Sequence, residues 1–144
     1  TINAMTAVDE VLIPIQCEYY ALEGVGQLLG NIGMIREHLN NNLHISAIVL
    51  TMYDARTRLA ADVADEVRGQ FGQVVLNNVI PRSVKVSEAP GYGQTVIDYD
   101  PGSRGALAYF DAAKELATRG DYQPHPTTGP IGVSPEVYNQ LEEE

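Results

Sequence analysis

The chain has 144 residues, 44% hydrophobic and 19% charged, with 13 Gly, 8 Pro, no Trp and a formal net charge of −10. That describes one ordinary globular domain, long enough to bury a core without metals or disulfides. The lone cysteine, Cys17, excludes an internal bridge and a four-ligand zinc site and agrees with a reducing, cytoplasmic setting. Apolar runs such as Ala47 to Leu50 and Val74 to Leu76 fall far short of the ~20 residues that span a bilayer, so no membrane span is expected.

The opening Thr-Ile-Asn-Ala-Met-Thr-Ala lacks the basic and apolar regions of a signal peptide and reads directly as helix. With no initiator Met, it points to a fragment whose N-terminal part is missing. Residues 9–16 form a short, nearly continuous apolar run, the pattern of a strand buried on both faces of a parallel sheet. Pro14 counts against it, because proline cannot donate to a ladder. Tyr20, Leu22, Val25, Leu28, Leu29, Ile32, Ile35 and Leu39 are then spaced for one face of a helix ending in Asn40-Asn-Asn42. Residues 45–52 read as a buried strand, and Leu59, Val63, Val67 and Phe71 as a helix stopped by Gly72. Residues 74–80 read as a third strand. Pro81 to Pro101 is a long loop with one helical turn. Arg104 to Arg119 is a last helix that turns Ala106, Leu107, Phe110, Ala113, Leu116 and Ala117 inward. From Gly120 onward Pro124, Pro126, Pro130 and Pro135 break regular structure, so 1–119 is read as the domain and 120–144 as a Pro-rich acidic tail, flexible or extended.

This alternation implies an α/β fold: half of a doubly wound, mostly parallel sheet built by right-handed crossovers. Half a sheet leaves an open strand edge, and such edges pair, so self-association is expected. Ligands of these folds bind outside the carboxyl ends of the strands, which here lead into the loops 16–20, 51–58 and 81–90. Charge gathers there. Residues 121–144 hold five acids and no base, so half of the net charge lies in the tail. Arg56, Arg58, Arg82, Lys85 and Arg104 share one expected sheet edge, where phosphate contacts and plain solvation are both open readings.

Other motifs are weak. No Gly-x-x-x-x-Gly-Lys-Ser/Thr occurs, and Gly24-Val-Gly26 reads as small residues letting a helix approach the sheet. Gly91-Tyr-Gly93 reads as loop shaping. His38, His44 and His125 lack metal-ligand spacing. Cys17 has no local base and reads as a packed thiol. Asp54, Glu88, Asp98 and Asp100 could serve a Mg²⁺ or a water, but turn and capping roles are favoured.

Read together, Val11-Leu-Ile-Pro-Ile-Gln-Cys-Glu-Tyr-Tyr-Ala-Leu-Glu-Gly24, Leu50-Thr-Met-Tyr-Asp-Ala-Arg-Thr-Arg-Leu59, Val79-Ile-Pro-Arg-Ser-Val-Lys-Val-Ser-Glu-Ala-Pro90 and Tyr99-Asp-Pro-Gly-Ser-Arg-Gly105 resemble the ParA/Soj chromosome-partitioning ATPases. The resemblance runs from residue 1 to about 119 and leaves the tail outside. It implies the C-terminal half of a P-loop NTPase with a deviant Walker A loop, since the Lys-Gly-Gly-Val-Gly-Lys-Thr type loop and the Walker B aspartate of the family do not occur here. No catalytic or metal-binding residue is therefore expected in this chain, and by itself it is expected to be inactive toward ATP.

In the family, ATP with Mg²⁺ drives homodimerisation. The dimer binds DNA without sequence preference, which associates it with the nucleoid in the cytoplasm, and a centromere-binding ParB partner stimulates turnover. By position, Thr51, Met52 and Pro81 match the segments flanking the adenine. Arg56 and Lys85 match the DNA-contacting bases, with Lys85 in place of a more usual arginine, and Arg82 is an auxiliary contact. The rival readings are a MinD-like ATPase, a cobyrinic acid amide synthase and a non-enzymatic interaction module. The acidic end Leu141-Glu-Glu-Glu144 disfavours MinD, whose basic amphipathic helix seeks anionic membranes.

Overall fold

A computed structural model describes residues 1–119; the expected tail, 120–144, lies outside the described residues. A short helix α1 (Ile2–Ala7) leads into strand β1 (Glu10–Gln16), helix α2 (Ala21–His38), strand β2 (His44–Thr51) and helix α3 (Arg58–Phe71). Three short turns of helix follow, α4 (Val84–Glu88), a 3-10 turn (Ala89–Tyr92) and α5 (Val96–Tyr99), before the long α6 (Arg104–Thr118). Strands β1 and β2 pair in parallel, with Ile13 opposite Ile48 and Ile15 opposite Leu50. Parallel pairing requires a crossover between the strands, and α2 supplies it.

Two apolar layers sandwich this sheet. On one side Ile13, Ile15, Ile48 and Leu50 pack with Leu29 and Ile32 of α2 and Val63, Val67 and Phe71 of α3. On the other, Ala47 and Val49 pack with Leu76, Ile80 and Ala112 of α6. β2 is thus buried on both faces, as its unbroken apolar run requires. β1 is not, contrary to the sequence expectation: Ile13 and Ile15 are buried, but Leu12 is 42% exposed and Pro14 is also exposed. The cause is the reach of α6, which covers β2 and leaves the same face of β1 bare. Cys17 N–H donates to Thr51 O, so by strand alternation Pro14 turns its missing N–H to the outer edge, where no described residue pairs with it.

The third expected strand is interrupted. Leu76 N–H donates to Ile48 O and Ile80 N–H to Leu50 O, each at 2.8 Å, with isolated parallel bridges at Val75 and Pro81. The segment therefore uses two more residues than β2 over the same span, and Asn77 and Asn78 leave the ladder. Their backbone N–H groups donate instead to the Glu115 carboxylate, at 2.7 and 2.9 Å, and both side-chain amides join them. Arg119 closes the arrangement, pairing with Glu115 and donating to the carbonyls of Gln73 and Val75.

That anchoring sets the face of α6, another departure from expectation. Gly105, Ala106 and Ala112 are buried, with Ala108 and Leu116 partly so, whereas Leu107 and Phe110 are 53% and 47% exposed and Ala113 and Ala117 are exposed. Glu115 and Arg119 occupy the inward stripe because their partners are backbone groups, which apolar periodicity cannot reveal. The stretch 81–101 also exceeds the one expected helical turn. Ala89, Val96 and Ala106 form a small core of their own with Val86, Ile97 and Tyr99 against it.

Burial alone would raise the Glu115 pKa, but N–H groups of Asn77 and Asn78 and the Arg119 charge more than offset it, and the carboxyl lies below its ordinary value. Glu115→Gln should therefore destabilise the protein by about 1–3 kcal/mol, the range for weakening part-buried hydrogen bonds to a charged group. A depressed folded pKa gives stability that is full above the unfolded value near 4.3 and is lost as pH falls through the lowered one. Urea unfolding of wild type and Glu115→Gln across pH 3 to 7 tests both effects. Superimposable curves would remove Glu115 from the stability of the edge.

Candidate functional site

The carboxyl ends of β1, β2 and the interrupted segment converge on one edge. β2 is followed directly by Met52, whose φ of +54° is the only left-handed value outside glycine among the described residues. The kink there lets Tyr53 bridge to Pro81 and turns the chain into Asp54-Ala-Arg56-Thr57. Thr57 Oγ1 then accepts from Ala60 N–H and caps α3, a strongly preferred cap residue. Two open clefts flank this turn. One, of about 910 Å³, is lined in part by Cys17, Tyr20 and Met52. The other, of about 810 Å³, is lined in part by Tyr53, Pro81 and Arg104. Asp54, Arg56 and Arg82 border both.

The expected adenine-side residues reach this edge without lining one pocket. Thr51 is held in the sheet, its Oγ1 donating to Ile15 O at 3.2 Å. Met52 faces the first cleft and Pro81 the second. Of the expected DNA-contacting bases, Arg56 and Arg82 lie together, while Lys85 stands apart on α4. Each has a carboxylate partner. Arg56 Nε and Nη2 donate to Asp54 at 2.9 and 2.7 Å. Arg82 Nη2 donates to Glu18 at 2.8 Å. Lys85 Nζ donates to Glu88 at 3.1 Å and lies 5.5 Å from the centroid of the Tyr99 ring, which itself stacks on Tyr92.

These pairs set the electrostatics. The hydrogen bonds and charge of Arg56 hold the Asp54 carboxyl well below the usual carboxylate range. The bond to Glu88, with its charge, pushes the Lys85 ammonium up. Burial pushes the Tyr99 hydroxyl up, helped by its bond to Glu88. Burial also raises the Cys17 thiol, only partly countered by the Arg68 charge, as a packed thiol requires. Among the described residues no group of three His, Cys, Asp or Glu side chains could hold a metal.

The sequence reading gave Asp54 a turn role, which its bond from the Arg56 backbone N–H bears out, but it did not pair Asp54, Glu88 or Glu18 with the bases. The Lys85–Glu88 spacing on a helix and the Asp54-Ala-Arg56 order carry a local signal; the Glu18–Arg82 pair carries none. The close-approach reading of Gly24 fails, since a Cβ there would meet nothing within 4 Å. The loop-shaping reading of Gly93 holds, with φ +67°. A close approach does occur at Gly105, where a Cβ would lie 2.7 Å from Val86 Cγ2 and 3.1 Å from Ser83 Oγ.

A family model described as an AAA domain matches residues 1–45. Sporulation initiation inhibitor protein Soj of Bacillus subtilis is 54% identical over 120 residues, 83% of this chain and 47% of its own length. Chromosome partitioning protein ParA of Caulobacter vibrioides is 50% identical over 119 residues, 83% of this chain and 45% of its own. The chain belongs to the ParA/Soj family. It spans about half the length of the curated relatives it matches. The fold is that of P-loop NTPase-type proteins. Cobyrinic acid a,c-diamide synthase from Mycobacterium smegmatis matches with TM-score 0.62 and 32% identity over 81% of this chain and 41% of that one. Cell division ATPase MinD from Pyrococcus furiosus matches with TM-score 0.62 and 25% identity over 81% and 46%. Both rival enzyme classes thus share the architecture, and the higher identity to Soj and ParA decides the family.

In this ParA/Soj chain the position of Lys85 depends on how closely α6 approaches α4 at Gly105. Gly105→Ala should force Val86 or the α6 backbone to move and destabilise the protein by about 1–3 kcal/mol. Thermal unfolding reads this directly. An unchanged midpoint would mean that Val86 swings clear and the close approach is incidental.

Proposed function

We propose that this chain is part of a partitioning ATPase whose ATP-bound homodimer grips DNA without sequence preference and whose turnover a ParB-like partner stimulates. The reading is supported by relatives named for chromosome partitioning and carried by the gathering of Arg56 and Arg82, with Lys85 on the α4 that follows, beyond the carboxyl ends of parallel strands. In this reading residues 1–119 are the ATPase-domain portion and 120–144 a separate acidic tail, and the protein works on the nucleoid in the cytoplasm. No helix among the described residues is long and apolar enough to cross a membrane.

ATP and Mg²⁺ are the cofactors of this proposal, consistent with the cobyrinic acid a,c-diamide synthase structures with bound ADP or ATP analogue and magnesium. The residues here suit the adenine side and not the phosphates. Met52 follows a buried strand beside one open cleft, Pro81 lines the other, Thr51 is held in the sheet between them, and no described carboxylate cluster would hold a metal. When bound, the nucleotide supplies the phosphoryl group whose hydrolysis times DNA release. The part of this chain is to seat the base and present the cations.

Phosphates have to compete with Glu18 for Arg82 and with Glu88 for Lys85. Affinity is therefore modest per site, grows when a dimer doubles the surface, and falls steeply with salt as condensed counterions cease to be released. Arg56→Ala and Lys85→Ala in the full-length, ATP-loaded protein should each weaken binding to random duplex DNA and lower the salt slope by about one unit. Binding at two salt concentrations measures both quantities. An unaltered slope in the double variant would leave these residues as solvated charges.

A further inference from the structure

We propose that Asp54 is a positioning residue that holds one edge of the Arg56 guanidinium and thereby presents the other edge to a phosphate. The proposal rests on the reading of Arg56 as a phosphate contact and adds a second residue to it. A guanidinium carries five N–H donors in a rigid plane. Here the side-on edge is taken: Nε bonds Asp54 Oδ1 and Nη2 bonds Oδ2. The end-on edge, with both hydrogens of Nη1 and the second of Nη2, remains clear of Asp54. It is itself a two-donor fork that fits two oxygens of one phosphate.

The two partners are unequal in the way this role requires. The Asp54 side chain is 20% exposed and that of Arg56 86%. Asp54 is fixed in the turn: Oδ1 also accepts the Arg56 backbone N–H at 3.1 Å, and its carbonyl accepts the Thr57 backbone N–H and hydroxyl. Asp54 therefore grips Arg56 at both backbone and side chain and aims it outward. Neither other pair does this, since Arg82 makes one bond to Glu18 and Lys85 one to Glu88. An exposed arginine otherwise samples many rotamers, and ordering one on binding costs free energy that a pre-set side chain avoids. The carboxyl of Asp54 stays ionised at every working pH, because Arg56 holds its pKa far down.

The rival effect has the opposite sign. If Asp54 merely neutralised Arg56, removing its charge would tighten binding to a polyanion. The test is binding of the full-length, ATP-loaded protein with Asp54→Asn to random duplex DNA, with Arg56→Ala and the double variant completing a cycle. Positioning predicts that Asp54→Asn weakens binding about threefold or more, although it removes a negative charge, and that it has no such effect once Arg56 is alanine. Equal or tighter binding by Asp54→Asn would overturn the proposal.

A second measurement needs no variant at this position. In nitrogen-edited NMR of the wild type, the Arg56 Nε–H signal should keep its place as DNA is added while the Nη signals move. Movement of Nε–H with DNA would show Asp54 exchanged for phosphate and would equally overturn the proposal. If Arg56→Ala binds DNA as the wild type does, the phosphate reading of Arg56 itself fails. If Arg56→Ala weakens binding and Asp54→Asn does not, that reading stands and the positioning role alone falls.

Discussion

The break in the third strand is the constraint on which the rest of the edge depends. From Leu76 to Ile80 the chain takes two residues more than β2 does between Ile48 and Leu50, so its ladder cannot close by backbone pairing alone. Backbone N–H groups that leave a ladder find their partners in water or in other protein groups, and Glu115 on α6 provides them to Asn77 and Asn78. The patch fixes three things together. It sets the height at which Ile80 rejoins the sheet, the docking of α6 over Ala47 and Val49, and hence the start of the segment that carries Pro81, Arg82 and α4. An apolar residue at 115 would make neither bond and would untie this segment from α6.

A second constraint is the balance of charge at the sheet edge. Sequence counting places five bases there, but the structure gives four of them carboxylate partners: Arg56 has Asp54, Arg82 has Glu18, Lys85 has Glu88, and Arg58 sits 3.8 Å from Asp62. Exposed pairs of this kind contribute little to stability. Their consequence lies in recognition, because a phosphate meets cations that already have partners. Binding is then an exchange of carboxylate for phosphate, or a sharing of one cation between both, and geometry decides which. Lys85, a point charge with rotatable donors, can turn from Glu88. Arg56, chelated at two points, is built to share.

What was legible in the sequence follows from where the physics is local. The buried run at 45–50 and the helical spacing from Val25 to Ile35 announce themselves because each residue's environment is set by its own element. The interrupted strand does not, since Val74 to Ile80 has the right apolar content and the group that takes its backbone donors is Glu115, nearly forty residues on. The inward face of α6 failed for the same reason: a glutamate and an arginine bonded to backbone displace Leu107 and Phe110 to the surface. At the site, the kinds and positions of the bases were legible from the strand-end rule and from the family motifs. Of the carboxylates that pair with them, Asp54 and Glu88 sit two and three residues from their partners and carry a local signal, whereas Glu18 meets Arg82 only after the fold brings their loops together.

The exposed side of β1 bears on how the sheet is completed. Leu12 and Pro14 lie on the face that α6 covers over Ala47 and Val49, their partners in register, so the bare surface is a continuation of an existing core. Its outer edge presents the N–H groups of Leu12 and Gln16 with a gap between them at Pro14. A strand added there would pair on both sides of the gap and lose one bond in the middle, a weaker seam than β1 makes with β2. Casual edge-to-edge pairing of two copies gains little from so broken a ladder. What would repay covering is the apolar face, and a helix laid across Leu12 and Pro14 would bury it without calling on the missing donor. The completion this edge favours is therefore an added strand with its own covering helix, which is the unit α/β sheets are built from.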